Sequence, residues 1–334
     1  MDKAGRDHIV SLENFSIGHQ KEQVLLSDLN LRVDSGEMVA LIGRNGTGKS
    51  TLLRTMIGLL PSLGGTCLLN GKAIKEYDLP ARARMASFVS SQARELPSLS
   101  VGEMVALGRL PYTGWMGRLS EADHARVDEA LEEVQMSPFK HRKLDRLSDG
   151  ERQRAMIARA FVQDTDLMVL DEPTAFLDIP NTFDLIRLLS RFRDAGKSIV
   201  YSTHDLESAM QCADKMWIIH DAKIYEGAPE DLGLSGLFDE LFSSSDIRYE
   251  EQNRKFMFKG EGKGSVRLLG KEDRTRLWTE NALDRLGYSV HEKGETKIEI
   301  QKSGSSIEWI LQKEGETANF TSLYKLARFL IQGK

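Results

Sequence analysis

The sequence predicts an α/β protein. Its core is a mostly parallel sheet with antiparallel edge strands, a helical subdomain is inserted into that core, and a small α+β domain follows. Three observations lead there. Short, continuous apolar runs alternate with helical patterns through the first 250 residues, as strands covered on both faces of a parallel sheet do. The stretch from about 97 to 160 is almost wholly helical in pattern and rich in Met, Glu and Arg. The charge balance also changes sign near residue 250, with 16 Lys/Arg against 12 Asp/Glu after it and 29 against 38 before it. The expected domains are therefore 1–250 and 251–334, with Ser243-Ser244-Ser245 and a polar run from Tyr249 to Lys255 at the join.

Taken in order, Met38-Val-Ala-Leu-Ile42 is a strand-length run that ends in glycine, and a helical stretch follows from Ser50 to Leu60. After the helical insertion, Leu167-Met-Val-Leu170 and Ser198-Ile-Val-Tyr-Ser202 are further strands. Between them lies a helix from Thr182 to Arg193, with Phe183, Ile186 and Leu189 at helical spacing. In the last domain, Lys271 to Gly287 reads as a helix with Leu277, Trp278, Ala282 and Leu286 on or near one face. Thr296–Ile300 and Ile307–Leu311 alternate like strands around a Gly and Ser turn. Phe320, Leu323, Tyr324, Ala327 and Leu330 mark a final amphipathic helix, and Trp278 and Trp309 are expected in this domain's core.

Composition narrows the function classes. The 334 residues leave room for two domains, and 40% hydrophobic with 28% charged residues suits a packed core rather than disorder. No apolar run reaches the ~18 to 20 residues that span a bilayer. The first ten residues lack a basic stretch leading into an apolar one, so no secretory signal is expected there. Two cysteines, Cys67 and Cys212, are too few for a disulfide framework; they fit a reducing compartment and are expected as buried small hydrophobes without a redox role. An acidic main body is a poor start for contacts to nucleic-acid phosphates, so no nucleic-acid partner is expected.

Chemistry enters with Gly43-Arg-Asn-Gly-Thr-Gly-Lys-Ser-Thr51, which fits the phosphate-binding loop G-x-x-x-x-G-K-[ST] between an apolar strand and a helix. Gly43, Gly46 and Gly48, with Asn45 and Thr51, would let backbone N–H groups converge on phosphate oxygens at the positive end of the helix. Lys49 would reach the β- and γ-phosphates and Ser50 would ligate Mg²⁺. A second strand, Leu167–Leu170, ends in Asp171 and Glu172. Asp171 would hold Mg²⁺ through water, and Glu172 would polarise the water that attacks the γ-phosphate, a role typically worth ~10²- to 10⁴-fold in rate.

Leu147-Ser-Asp-Gly-Glu-Arg-Gln153 resembles the LSGGQ signature of ATP-binding-cassette ATPases, and the other motifs of that family follow in order. Gln92 stands where the Q-loop glutamine would be, Asp178 in Thr174-Ala-Phe-Leu-Asp178 resembles the D-loop, and His204 in Ser202-Thr-His-Asp205 resembles the switch histidine. The resemblance covers about residues 8 to 240. It implies ATP and Mg²⁺ as ligands and a homodimer packed head to tail, in which Ser148 and Gly150 of one subunit close over the ATP held by the other. It also implies that His204 contacts the γ-phosphate or the attacking water, and that Gln92 senses Mg²⁺ and relays its presence to the helical subdomain.

Three departures stand out. Asp149 and Glu151 replace the usual glycine and glutamine of the signature, with Ser148 and Gly150 retained, so activity is expected to survive. Ser90-Ser91 precede Gln92 where an apolar residue and proline are frequent. Counted back from Gly43 by the family's spacing, His19 holds the place of the aromatic that stacks on adenine; it would either stack, at ~1 to 3 kcal/mol, or be an exposed loop histidine.

The segment Leu99 to Tyr112, with Gly108-Arg-Leu-Pro-Tyr112, resembles the ATPases of bacterial importers for iron chelates, haem and cobalamin. In such systems the helical subdomain and Q-loop receive a coupling helix from each membrane permease subunit, a substrate-binding protein delivers the cargo, and the ATPase lies peripherally on the cytoplasmic face of the cell membrane. A non-transport ATPase of the same family, or one serving export or lipid movement, remains the alternative. The C-terminal domain would either regulate or brace the dimer.

Overall fold

The structure is a computed structural model that describes residues 8–18, 23–90, 99–114, 116–243, 247–250, 255–258, 262–304 and 306–332. It divides into two compact units, Met1–Ser235 and Gly236–Lys334. In the first, chain order is β1 (His8–Gly18), β2 (Val24–Asp34), β3 (Met38–Gly43), α1 (Lys49–Met56), β4 (Gly64–Leu69), β5 (Lys72–Ala73), α2 (Leu79–Met85) and β6 (Ala86–Val89). Helices α3 (Val101–Ala106), α4 (Glu121–Glu133) and α5 (Asp149–Val162) come next. The unit closes with β7 (Leu167–Leu170), α6 (Ile179–Asp194), β8 (Ser198–Thr203), α7 (Leu206–Cys212), β9 (Lys215–His220), β10 (Lys223–Gly227) and α8 (Pro229–Leu234).

Six strands form one sheet in the order β10-β9-β3-β8-β7-β6. All neighbours in it are parallel except β10, which pairs antiparallel with β9 at the edge. The apolar runs are buried end to end, as strands covered on both faces must be. A second, antiparallel sheet runs β2-β1-β4-β5. Helix α1 packs against β1 of one sheet and β3 and β8 of the other. Leu52, Leu53 and Met56 join Phe15, Val39, Leu41 and Trp217 in one core, each fully buried side chain contributing about 1.5–3 kcal/mol.

Helix α1 stops four residues before the expected Leu60. Gly58 takes a left-handed backbone at φ 73° and turns the chain, and the Leu59 N–H donates back to Arg54 O at 2.8 Å.

The helical subdomain leaves the sheet after β6 and returns at β7, which lie side by side. The Gly-Arg-Leu-Pro-Tyr segment clamps it together. A Cβ on Gly108 would lie 2.2 Å from Arg159 O, so only glycine allows that approach. Arg109 pairs with Asp123 at 2.9 Å, donates to Val162 O at 3.0 Å, and lies 4.0 Å from the centroid of the Tyr112 ring. The Tyr112 hydroxyl donates to Gln163 O at 2.9 Å. Among the described residues no helix is long and apolar enough to cross a membrane.

The second unit holds α9 (Leu237–Leu241), the hairpin β11 (Ile247–Glu250) and β12 (Lys255–Phe258), then β13 (Gly264–Leu269), α10 (Arg274–Arg285), β14 (Tyr288–Val290), β15 (Thr296–Ser303), β16 (Ser306–Lys313), β17 (Glu316–Phe320) and α11 (Leu323–Gln332). The contact division falls earlier than the charge shift near 250, because α9 packs with the hairpin after it: Phe238 sets its ring 5.0 Å from Tyr249 of β11. Five strands form a sheet in the order β14-β13-β15-β16-β17. The short link from β14 to β15 crosses β13 at Gly294, where a Cβ would sit 2.3 Å from the Val266 carbonyl carbon.

One of the two tryptophans expected in this unit's core is found there, and three other expectations are corrected. Trp309 is core, at 6% exposure, and its Nε1 donates to Thr279 Oγ1 at 2.8 Å. Trp278 is 55% exposed and Leu277 is exposed beside it, because α10 turns Thr279, Leu283 and the following Leu286 towards the sheet instead. Phe320 ends β17 rather than starting the last helix, and Tyr324 faces solvent while Leu326, Ala327 and Leu330 are buried. In the first unit Phe183 of α6 is likewise exposed, with Leu185, Ile186, Leu188 and Leu189 buried. Of the cysteines, Cys67 is buried and Cys212 half-buried. Burial pushes the Cys67 thiol up to about 12.

Candidate functional site

Ligands of open α/β sheets bind beyond the carboxyl ends of the strands, and the predicted residues gather at that end of β3, β7 and β8. The loop after β3 needs its glycines. Gly46 and Gly48 have φ of 80° and 102°, and a Cβ on Gly43 would lie 2.8 Å from Thr47 Oγ1. Gly48 caps α1 in the left-handed region. Asn45 and Gly46 are exposed at the loop tip, while Thr51 is buried on α1.

Lys49 is only 4% exposed. Its Nζ donates to Gly43 O at 2.8 Å and lies 3.1 Å from His204 Nε2 and 3.6 Å from Glu172 Oε1. Burial lowers the Lys49 pKa from its usual 10.5, and the Glu172 carboxylate opposes that shift. An anion brought into the loop would favour the charged ammonium further.

His204 Nε2 also lies 2.7 Å from Glu172 Oε1. One ring nitrogen serves only one of these contacts at a time: protonated, it donates to Glu172; unprotonated, it accepts from Lys49. Glu172 reaches this position from a left-handed backbone, φ 49°, which a non-glycine residue adopts at a cost and which recurs at functional sites.

Asp171 is 1% exposed. Its Oδ1 accepts from Ser50 Oγ at 2.8 Å and from Ser202 Oγ at 2.9 Å. Its Oδ2 is buried without a hydrogen bond, with the Arg54 guanidinium 3.7 Å away. Two residues of this network were missed in the sequence. Ser202 Oγ ties Asp171 and Glu172 together, donating to the Asp171 carboxylate and accepting the Glu172 backbone N–H at 2.8 Å; the Arg54 guanidinium lies 3.7 Å from Oδ2. The signal for Ser202 was there, a polar residue in the buried strand β8.

The residues that resemble the signature and the D-loop gather at the starts of α5 and α6. Ser148 caps α5 and is exposed. Asp178 caps α6, accepting from the N–H of Asn181 at 3.0 Å and from its side-chain amide at 2.7 Å. That amide lies against Gly150, where a Cβ would be 3.3 Å from Asn181 Cγ. Beside Asp178, Phe176 is 87% and Ile179 74% exposed, an apolar patch of the kind that marks an interaction surface. His19 and Gln92 lie outside the described residues.

The same unit holds a groove of about 430 Å³. Ile57, Leu59, Leu79, Phe88, Leu107 and Leu110 line it, with Arg82 and Arg159. Leu59, Leu79, Leu107 and Leu110 are exposed there.

Comparison with known proteins bears on both units. The family described as "ABC transporter" matches residues 26–175, and the one described as "Iron ABC transporter C-terminal domain" matches residues 263–331. The chain is similar to the petrobactin import ATP-binding protein FpuC of Bacillus anthracis, 35% identical over 236 residues that cover 70% of this chain and 86% of that protein. It is 34% identical to the ferric enterobactin transport ATP-binding protein FepC of Escherichia coli (strain K12), over 69% of this chain and 85% of that one. Among solved structures, the ATP-binding cassette MJ0796, dimeric and bound to ADP and Pi in a post-hydrolysis state, superimposes with a TM-score of 0.59 at 27% identity, covering 66% of this chain and 98% of that one.

Proposed function

The chain belongs to the ATP-hydrolysing subunits of ABC transporters, and from that premise we propose that it powers a bacterial importer of iron–siderophore, haem or cobalamin-type chelates. The observation that carries the cargo class is the pairing of an ATPase unit similar to siderophore-import proteins with a C-terminal unit of the iron ABC transporter type. Residues 251–334, together with the preceding hairpin strand and α9, act as an accessory domain.

In this reading ATP lies along the phosphate loop, with the backbone from Gly43 to Thr51 donating to its phosphates and Lys49 turning from Gly43 O and His204 towards them. The residues fit Mg²⁺: Asp171 is a buried carboxylate with an unbonded oxygen, beside the Ser50 hydroxyl, and Mg²⁺ is held by one or two carboxylates together with phosphates and water. Ser50 and Asp171 would hold it, with Gln92. When bound, it supplies positive charge against the β- and γ-phosphate oxygens. Glu172 takes a proton from the water that attacks the γ-phosphorus as the bond to the β–γ bridging oxygen breaks. His204, 2.7 Å from Glu172, orients that carboxylate and then the γ-phosphate.

The signature faces a second copy. Exposed Ser148 and the Phe176–Ile179 patch suit a head-to-tail homodimer in which Ser148, Gly150 and Asp178 complete the partner's site, with His19 against adenine. The apolar groove receives a short helix of an integral membrane permease, laid in by its apolar face. The ATPase thus lies peripherally on the cytoplasmic face of the cell membrane, a substrate-binding protein acts only through the permease, and no nucleic acid takes part.

Tagged Glu172→Gln protein tests this. It should bind ATP, hydrolyse it ~10²- to 10⁴-fold more slowly, and bring a polytopic permease out of native membranes when ATP is present. Recovery of a soluble complex or of the homodimer alone would overturn the importer reading.

A further inference from the structure

The segment that leads into Ser148 carries two consecutive cations, Arg142 and Lys143, and each pairs with the acid of a different helix start. Residues 140–144 run antiparallel to residues 99–102: Val101 N–H donates to Arg142 O at 2.9 Å, Gly102 N–H to Lys140 O at 2.8 Å, and Leu144 N–H to Leu99 O at 3.0 Å, with Ser100 bridged to Lys143. Helix α3 opens with a capping box of Ser100 and Glu103, and α5 opens with one of Ser148 and Glu151. Lys143 Nζ lies 3.8 Å from Glu103, and Arg142 lies 3.6 Å from Glu151 Oε1. The Arg142 guanidinium also sits 5.4 Å from the Phe139 ring centroid.

Glu151 is one of the two departures from the usual signature. Its Oε2 accepts the Ser148 N–H at 2.8 Å, and its own N–H donates to Ser148 Oγ at 3.2 Å. A glutamine would make the same cap without charge. A glutamate instead adds a negative charge at the helix end that favours anions, where the partner's γ-phosphate would dock. The other departure, Asp149, is matched in the same way by Arg152 at 3.6 Å.

We infer that Arg142 is a positioning residue for the signature: through Glu151 it fixes Ser148, cancels the carboxylate charge facing the partner's nucleotide, and ties the start of α5 to the start of α3. The inference rests on the reading that Ser148 meets ATP held by a second subunit.

The test compares Ser148→Ala, Arg142→Ala, Glu151→Gln and the Arg142→Ala/Glu151→Gln pair in the full-length chain. It reads steady-state ATPase activity and thermal unfolding, and follows ATP-dependent dimerisation in a Glu172→Gln background. Arg142→Ala should raise the KM for ATP and weaken dimerisation about 2- to 10-fold, the scale of a partly exposed ion pair and nearby like charges. kcat should stay within about two-fold, and the effect should shrink in ~0.5 M salt, where charges are screened beyond a few ångströms. The double variant should return to the wild-type KM, because glutamine keeps the cap. An unchanged KM in Arg142→Ala, or a loss that Glu151→Gln fails to rescue, overturns the inference. So does an effect confined to unfolding temperature. If Ser148→Ala leaves both hydrolysis and dimerisation intact, the trans-acting signature itself is refuted; if Ser148→Ala is impaired and Arg142→Ala is not, only the role of Arg142 falls.

Discussion

The phosphate-loop cluster and the signature cluster are built by opposite strategies. In the first, Lys49, Ser50, Asp171, Glu172, Ser202 and His204 arrive from α1 and from the ends of β7 and β8, far apart in sequence, and close on one another in a mostly buried network. In the second, Ser148 and Asp178 sit exposed and are held mainly by residues three positions on, Glu151 and Asn181. A group that must meet its own chain's ligand can be fixed in advance by tertiary packing. On the proposed reading, Ser148 and Asp178 are presented to another subunit and stay at the surface, where local caps hold them. The apolar side chains follow the same division: Leu52 and Met56 are buried behind the loop, while Phe176 and Ile179 stand out beside Asp178.

This contrast can be broken most severely at Ser202. Ser202→Ala removes a donor to Asp171 and leaves the Glu172 N–H without its acceptor. Stability in urea unfolding should fall by about 1–3 kcal/mol, and kcat by up to about 10²-fold as Glu172 loses its position. A drop in stability with kcat untouched would mean that the buried network is scaffold only. On the exposed side, Phe176→Ser should change stability by less than about 0.5 kcal/mol yet weaken ATP-dependent dimerisation of the Glu172→Gln protein in analytical ultracentrifugation. Equal dimerisation with and without the phenyl ring would separate the patch from the interface.

The smallest effect concerns pH in the helical subdomain. The Ser120 hydroxyl and backbone N–H, followed by Arg109, hold the Asp123 carboxyl at about 2, below its usual 3.8. The lowered folded value means that the stabilisation is present above about 3.8 and is lost as pH falls from there through about 2. Asp123→Asn should flatten the acid limb of the unfolding profile over that window, and an unchanged profile would show that the clamp is not electrostatic.

The charge shift near 250 pointed to a second domain, but its edge was set by the packing of Phe238 on Tyr249, which composition does not register. In α10 two apolar stripes competed. Leu277 and Trp278 read as core by size, yet Thr279 and Leu283 face the sheet, where Thr279 accepts the Trp309 indole N–H. The Gly-Arg-Leu-Pro-Tyr segment was legible as a family mark but not as a clamp, since its partners Asp123, Val162 and Gln163 belong to other elements.

By itself the sequence determined the parallel core, the loop after β3, the paired carboxylates after β7 and the order of the motifs. These depend on local properties: an unbroken apolar run, glycines where the backbone must turn left-handed, and two acids directly after a buried strand. Only the tertiary structure decided that Ser202 joins the Asp171 carboxylate to the Glu172 backbone N–H, that Glu172 adopts a left-handed backbone where it meets Lys49 and His204, and that Trp309 rather than Trp278 is core. Each of those depends on which distant element covers which face, and periodicity along one segment carries no information about what packs against it.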